Sequence, residues 1–193
     1  MKKHSITLKA TAYHEAGHAV VALLLGSKVR KITIAPEQEA RDAGTVGYIT
    51  RTPLTRNSIE WDLSGPNRWR VEKDVECLLA GEIAQRQFAP HSVRRYHGSA
   101  DRHAAVNLLS YISGPDTLHL YYKLLSRWTS NLLCNSFNWK IVQSLATTLL
   151  DEGTMSRKRV RQWYRDYREE EMVRLSASHV KEGRRNRPAN PRR

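Results

Sequence analysis

The chain has 193 residues, 40% of them hydrophobic and 26% charged, enough for one domain with a single buried core and a small appendage. Its longest apolar run, Ala19 to Leu25, falls far short of the ~20 residues that a membrane-spanning helix needs, and no repeat or heptad pattern admits a solenoid, collagen or coiled-coil reading. The formal net charge of +13 is unevenly spread: residues 157–193 hold 13 Lys/Arg against 5 Asp/Glu, a surplus of +8.

The N-terminus begins with the basic pair Lys2-Lys3, but His14, Glu15 and His18 follow where a signal peptide requires an apolar stretch, so a cytoplasmic protein is expected. Cys77 and Cys134 are far apart in apolar surroundings. They build neither a disulfide framework nor a cysteine-rich metal site, and both are expected as buried thiols.

Apolar residues recur with helical spacing from Thr11 to Leu25, and Gly26 stands where a C-terminal cap belongs. Lys28 to Ala35 alternates, with β-branched Val29, Ile32 and Ile34 among Lys28, Arg30 and Lys31, and Pro36 closes the run. Thr45 to Thr50 forms a second short run, and the two are predicted to pair antiparallel. Arg51 to Gly65, rich in Thr, Ser, Pro and Asn without either period, reads as an irregular loop.

Pro66 suits the first turn of a long helix to about Phe88, with Trp69, Val71, Val75, Leu78, Leu79 and Ile83 for its buried face. Ala80-Gly81 in its middle points to close contact with another helix. Ser99 is the expected N-cap of a helix through Leu108, Leu109 and Ile112, and Asp116 the cap of the next, to about Leu133. Helices over Phe137 to Leu150 and Arg157 to about Leu175 follow, with Trp128 and Trp139 expected in the core. The stretch Gly183 to Arg193 has no apolar periodicity and reads as a disordered basic tail. The fold class predicted is mainly α with a small β-sheet, residues 1–175 forming the domain and 176–193 the tail.

His14-Glu15-Ala16-Gly17-His18 has the H-E-x-x-H spacing. On a helix, residues four apart stand one turn apart on the same face, with Cβ atoms ~5–6 Å apart. Two imidazoles so placed can hold one zinc, and Glu15 beside them is suited to take a proton from water at the metal. With 8 His in the chain, shuffling its composition yields this spacing about 2 times in 100, so the helical context is needed to make the signal specific. Gly17 inside a helix costs about 1 kcal/mol relative to alanine and points to a close approach of backbone, ligand or a neighbouring helix.

Zinc needs a third protein ligand. Val21 and Leu24 stand where a metzincin has glycine and its third histidine, which excludes that class. Glu72, Glu76 and Glu82 on the long helix, His97, His103 and Asp101 are all chemically suitable. Asp101 is the sharpest of these, because a carboxylate in the first turn of a helix is favoured by the free backbone N–H groups. The same property makes it a good dipole-compensating acid with no metal at all. His4, His91, His119 and His179 have no partner at ligand spacing.

Ala12-Tyr-His-Glu-Ala-Gly-His-Ala-Val-Val21, Val29-Arg-Lys-Ile-Thr-Ile-Ala-Pro36 and Gly44-Thr-Val-Gly47 together resemble the start of the peptidase domain of the FtsH family of AAA zinc metalloproteases. Leu78-Leu-Ala-Gly-Glu-Ile-Ala84, Gly98-Ser-Ala-Asp101 and Leu145 to Met155 are similar to later segments of that domain, in order, so the resemblance covers about residues 10 to 165. It implies a helical zinc-peptidase fold, His14, His18 and Asp101 as zinc ligands, and Glu15 as general base. The chain departs from the family at Ala100, where Asn is usual before the aspartate, and at Gln85-Arg86, where acidic residues are typical.

No Gly-x-x-x-x-Gly-Lys-[Ser/Thr] loop occurs in the 193 residues, so the resemblance is to the peptidase domain without its ATPase. A zinc-dependent endopeptidase is therefore expected, acting on peptides and unfolded or flexible proteins, alone or with a separate ATPase in trans. Thr45 to Thr50 is a candidate edge strand for pairing with an extended substrate, and equally a plain hairpin strand. The rival reading is a catalytically silent metal-containing module whose basic C-terminal region contacts nucleic acid or an acidic partner. Trp163, Tyr164 and Tyr167 interleave with its basic residues as base-stacking platforms do, although such aromatics more often pack a helix.

Overall fold

Ser5 opens the first helix, α1 (Ile6–Leu24), by accepting a hydrogen bond from the Leu8 backbone N–H at 3.2 Å. At the other end Gly26, at φ 74, closes it: its N–H bonds the Leu23 carbonyl at 3.1 Å and the Ser27 N–H the Ala22 carbonyl at 2.7 Å. That double bond is the Schellman arrangement, which needs a left-handed residue that only glycine adopts cheaply. The computed structural model describes residues 5–34, 45–49, 65–92 and 98–185. The helix thus starts five residues before Thr11, because Ser5 supplies the cap.

Among the described residues the remaining elements are β1 (Lys28–Thr33), β2 (Thr45–Ile49), α2 (Gly65–Phe88), a 3₁₀ turn at Pro90–Ser92, α3 (Ser99–Leu109), α4 (Pro115–Cys134), α5 (Ser136–Glu152), β3 (Thr154–Ser156) and α6 (Arg157–Arg185). The protein is mainly helical with one small antiparallel sheet, as its sequence predicts. The expected loop from Arg51 lies outside the described residues as far as position 64. The chain divides into two units, Met1–Arg157 and Lys158–Arg193.

The sheet has the order β2-β1-β3, with both neighbours antiparallel to β1. Between Val29 and Lys31 the pairing with β2 shifts register: Val29 opposes Tyr48 while Lys31 opposes Gly47. The extra residue, Arg30, is a β-bulge, and it brings Val29 and Ile32 to the buried side although they are three positions apart. Strict alternation could not have done this. The third strand falls between the helices predicted to end at Leu150 and to start at Arg157, and its Met155 opposes Ile32, both fully buried.

Two caps differ from expectation. Gly98, in the left-handed region at φ 68, is the N-cap of α3, and Ser99 is its first helical residue. Gly114 caps α4 with Pro115 at its first position, so Asp116 is an acid in the first turn rather than the cap. At α5 the cap is Asn135, whose side chain accepts from the N–H groups of Phe137 and Asn138.

Helices α2, α3 and α4 enclose a core cluster of Val71, Val75, Leu79, Ala105, Leu109 and Leu125. On α1, Ala12, Ala16, Ala19 and Val20 are fully buried, as are Val142, Leu145, Ala146 and Leu149 on α5. Tyr13 stacks on Phe88 with ring centroids 3.8 Å apart and tilts against Trp139 at 5.7 Å, which ties α1 to the end of α2 and to α5. Three large or reactive residues expected inside are outside: Trp69 and Trp128 are 57% and 51% exposed, and Cys134 is exposed. Helix α4 buries the stripe Leu125, Thr129 and Leu133, which leaves Leu120, Leu124 and Trp128 on the opposite, solvent side. Trp69 lies under the Lys73 ammonium, 3.8 Å from its ring centroid, a surface cation–π pair.

Asp74 is 7% exposed, and its Oδ1 has no hydrogen-bond partner among the described residues. Burial pushes its pKa up from 3.8 to about 6, against the pull of Arg70 and Lys73. The folded chain therefore holds a proton that the unfolded chain releases, and stability falls as pH rises through that window, reaching its lower plateau above about 6. Asp74→Asn stands in permanently for the neutral acid. It is expected to stabilise the fold by about 1–3 kcal/mol at neutral pH and to change nothing below pH ~4. Urea unfolding at both pH values measures this directly.

The second unit is described by helix α6, which runs on from Leu175 to Arg185. No proline interrupts positions 157–185, and Glu, Met, Leu, Ala and Lys continue the helix at low cost. Within it Trp163 is buried, its ring 6.3 Å from Tyr164 and 5.8 Å from Tyr167.

Candidate metal centre

The close approach that Gly17 called for is the packing of α1 on α2. A Cβ on Gly17 would stand 2.6 Å from the Ala80 carbonyl oxygen and 2.6 Å from the Ala84 Cβ. Gly81 answers it from the other helix: a Cβ there would stand 2.6 Å from His18 Cε1 and 2.7 Å from His14 Nε2. Each helix thus gives up a side chain where the other comes nearest, and the two imidazoles occupy the space left by Gly81.

Helix α3 brings the third group. Asp101 lies in its first turn, and its Oδ2 is 3.4 Å from His14 Nε2 and 3.5 Å from His18 Nε2. The two Nε2 atoms are 3.0 Å apart. All three donor atoms lie within 4.8 Å of one another, the only such group of three among the described residues. Around a tetrahedral zinc with bonds of about 2.0–2.1 Å, donors are separated by about 3.3 Å. The spacing fits.

Hydrogen bonding fits as well. His18 Nδ1 is 2.6 Å from the Cys77 carbonyl, which can only accept, so Nδ1 carries the proton and the Nε2 lone pair faces inward. His14 Nδ1 is 3.1 Å from Gln85 Oε1. Two ring lone pairs and a carboxylate oxygen then converge on one point, an arrangement that calls for a cation. Burial lowers the pKa of His14, favouring the neutral ring that a metal needs. Glu15, next to His14 on α1, is 4% exposed, and its charge is among those that raise the pKa of His18 against the opposing effect of burial.

The other candidates for third ligand are engaged elsewhere. Glu72 accepts from Tyr121 and Arg68, and Glu82 bridges Arg86 and Arg102. His103 is exposed on α3, Glu76 is half-buried on α2 outside the cluster, and His97 lies outside the described residues. Gln85, passed over as a mere departure from a family pattern, touches a candidate ligand. Its spacing was available: Gln85 is four residues beyond Gly81, hence on the same face of α2.

Residues 4–50 match the family described as Peptidase M50B-like. A stretch of 79 residues is 35% identical to the ATP-dependent zinc metalloprotease FtsH of Magnetococcus marinus, covering 40% of this chain and 10% of that protein. The FtsH of Rickettsia conorii is 30% identical over 102 residues, 52% of this chain and 14% of that one. That of Mycoplasmopsis pulmonis is 56% identical over 48 residues, 24% and 6% respectively. The chain spans only a small part of the length of these curated relatives. The M50B-like match includes His14, Glu15 and His18, and the relatives that share these stretches are zinc metalloproteases of other organisms.

Proposed function

We propose that the chain is a zinc-dependent endopeptidase that hydrolyses bonds in peptides and in unfolded or flexible proteins, with His14, His18 and Asp101 holding the metal and Glu15 as the general base. The observation that carries this reading is the convergence of His14 Nε2, His18 Nε2 and Asp101 Oδ2 on one point beside Glu15. Zinc bound there supplies Lewis acidity, polarising the scissile carbonyl and acidifying the attacking water. The Glu15 carboxylate removes the water's proton and delivers it to the departing amine, and its burial keeps bulk water from competing for that proton. Strand β2 lies at the edge of the sheet, which supports backbone pairing with an extended substrate. These 193 residues contain no nucleotide-binding loop, so ATP-driven unfolding is not among their own activities and folded substrates are spared unless a separate ATPase delivers them. The burial of Trp163 beside Tyr164 and Tyr167 favours packing over base stacking, so nucleic acid is no part of this reading.

The purified chain is expected to carry about one zinc, to cleave casein, and to leave a stable folded protein intact. Chelation stops cleavage and added zinc restores it. A folded chain that takes up no zinc, or casein cleavage indifferent to chelation, would overturn the proposal.

A further inference from the structure

We infer that Gln85 is a positioning residue that fixes the tautomer of His14 and so keeps that ring's lone pair open to the metal. The inference rests on the metal-site reading above. Gln85 is 6% exposed and lies between two groups. On one side its amide is 3.4 Å from the Ser92 carbonyl and 3.2 Å from Ser92 Oγ. The carbonyl can only accept, and the Ser92 hydroxyl already donates to the Ala89 carbonyl at 2.8 Å. Both groups therefore demand a donor from Gln85, and Nε2 must face Ser92. That turns Oε1 toward His14 Nδ1, 3.1 Å away. An amide oxygen can only accept, so His14 bears its proton on Nδ1 and presents a bare Nε2.

The competing arrangement is close at hand. With the proton on Nε2, His14 would donate to Asp101 Oδ2, 3.4 Å away. That bond would use up, at once, two of the three donors that converge on the centre. The chain from Ala89 through Ser92 and Gln85 to His14 holds the ring in the tautomer that leaves them available. His18 needs no such device, since a backbone carbonyl does the same at its Nδ1. The 3₁₀ turn at Pro90–Ser92 thus takes part in the metal centre without approaching it.

The test compares the full chain with Gln85→Met and Gln85→Glu, all metal-free and then titrated with zinc against a competing chelator. The ring tautomer is read from ¹⁵N NMR of the metal-free histidines above neutral pH. Gln85→Met removes the acceptor: His14 is expected to move to the Nε2–H tautomer, and zinc affinity to fall about 10–100-fold. Gln85→Glu cannot donate to the Ser92 carbonyl but still accepts from His14. It is expected to keep the Nδ1–H tautomer and to bind zinc at least as tightly as the wild type. Wild-type tautomer and affinity in Gln85→Met would overturn the inference. So would a Gln85→Glu chain as impaired as Gln85→Met, because the anchor to Ser92 would then be what matters. Should Gln85→Met fail to fold, the tautomer in Gln85→Glu decides alone. A wild type that binds no zinc strikes the metal-site reading instead, and the tautomer comparison still stands.

Discussion

Glu15→Gln is expected to bind about one zinc per chain and to lose casein hydrolysis by about 10²–10⁴-fold. Glutamine has the shape of glutamate and fills the same buried position on α1, so neither packing nor the three converging donors are disturbed. What disappears is the basic oxygen that takes the proton from the attacking water. Zinc content by atomic absorption and initial rates on casein, side by side with the wild type, separate the two properties. Loss of both would mean that the substitution damaged the fold or the metal site. Retention of activity would remove Glu15 from the chemistry.

Gly81→Ala should act on the opposite property. A methyl at position 81 would stand 2.7 Å from His14 Nε2 and closer still to His18 Nε2, on the atoms that face the metal. Alanine raises helix propensity by about 1 kcal/mol over glycine, but overpacking between α1 and α2 costs about 1–3 kcal/mol. Metal-free stability is therefore expected to change by no more than about 2 kcal/mol in the destabilising direction. Zinc affinity is expected to fall by about 100-fold or more, because both imidazoles must rotate away to admit the methyl. Calorimetric zinc titration and urea unfolding of the metal-free chain read the two effects apart. An affinity within a few fold of wild type would show that the rings do not depend on the space left by Gly81.

Much of this was legible in the sequence because it is written in short periods. The one-turn spacing of His14 and His18, the glycine cap at Gly26 and the bounds of α2 all follow from local rules, and each is found where those rules place it. What escaped depends on partners remote in sequence. Asp101 is one of several suitable acids until α3 packs on α2 and brings its first turn to the two histidines, and spacing along the chain cannot choose among them. The bulge at Arg30 and the strand β3 are properties of pairing, invisible in either strand taken singly. Trp69 and Trp128 went astray because an aromatic on an amphipathic helix is not tied to the buried stripe when aliphatic residues fill it, as Leu125 and Leu133 do on α4. Gln85 was missed for another reason: its role lies in which end of an amide faces which neighbour, and that orientation is set by Ser92.

The central strand of the sheet draws its two neighbours from very different distances along the chain. Its partner β2 begins at Thr45, near in sequence, but Thr33 meets Gly153 and Thr154 only across 120 and 121 residues, with its hydroxyl 2.6 Å from that of Thr154. A chain emerging from the ribosome can close the first pair early and must then complete α2 to α5 before the second can form. Until Gly153 appears, the Ile34 N–H that it accepts from is unsatisfied and one edge of β1 is open to any other strand. Loop closure over such a span is slow compared with helix formation. Completion of the sheet by β3 thus waits on synthesis of nearly the whole first unit, and until then one edge of β1 stays open to other strands.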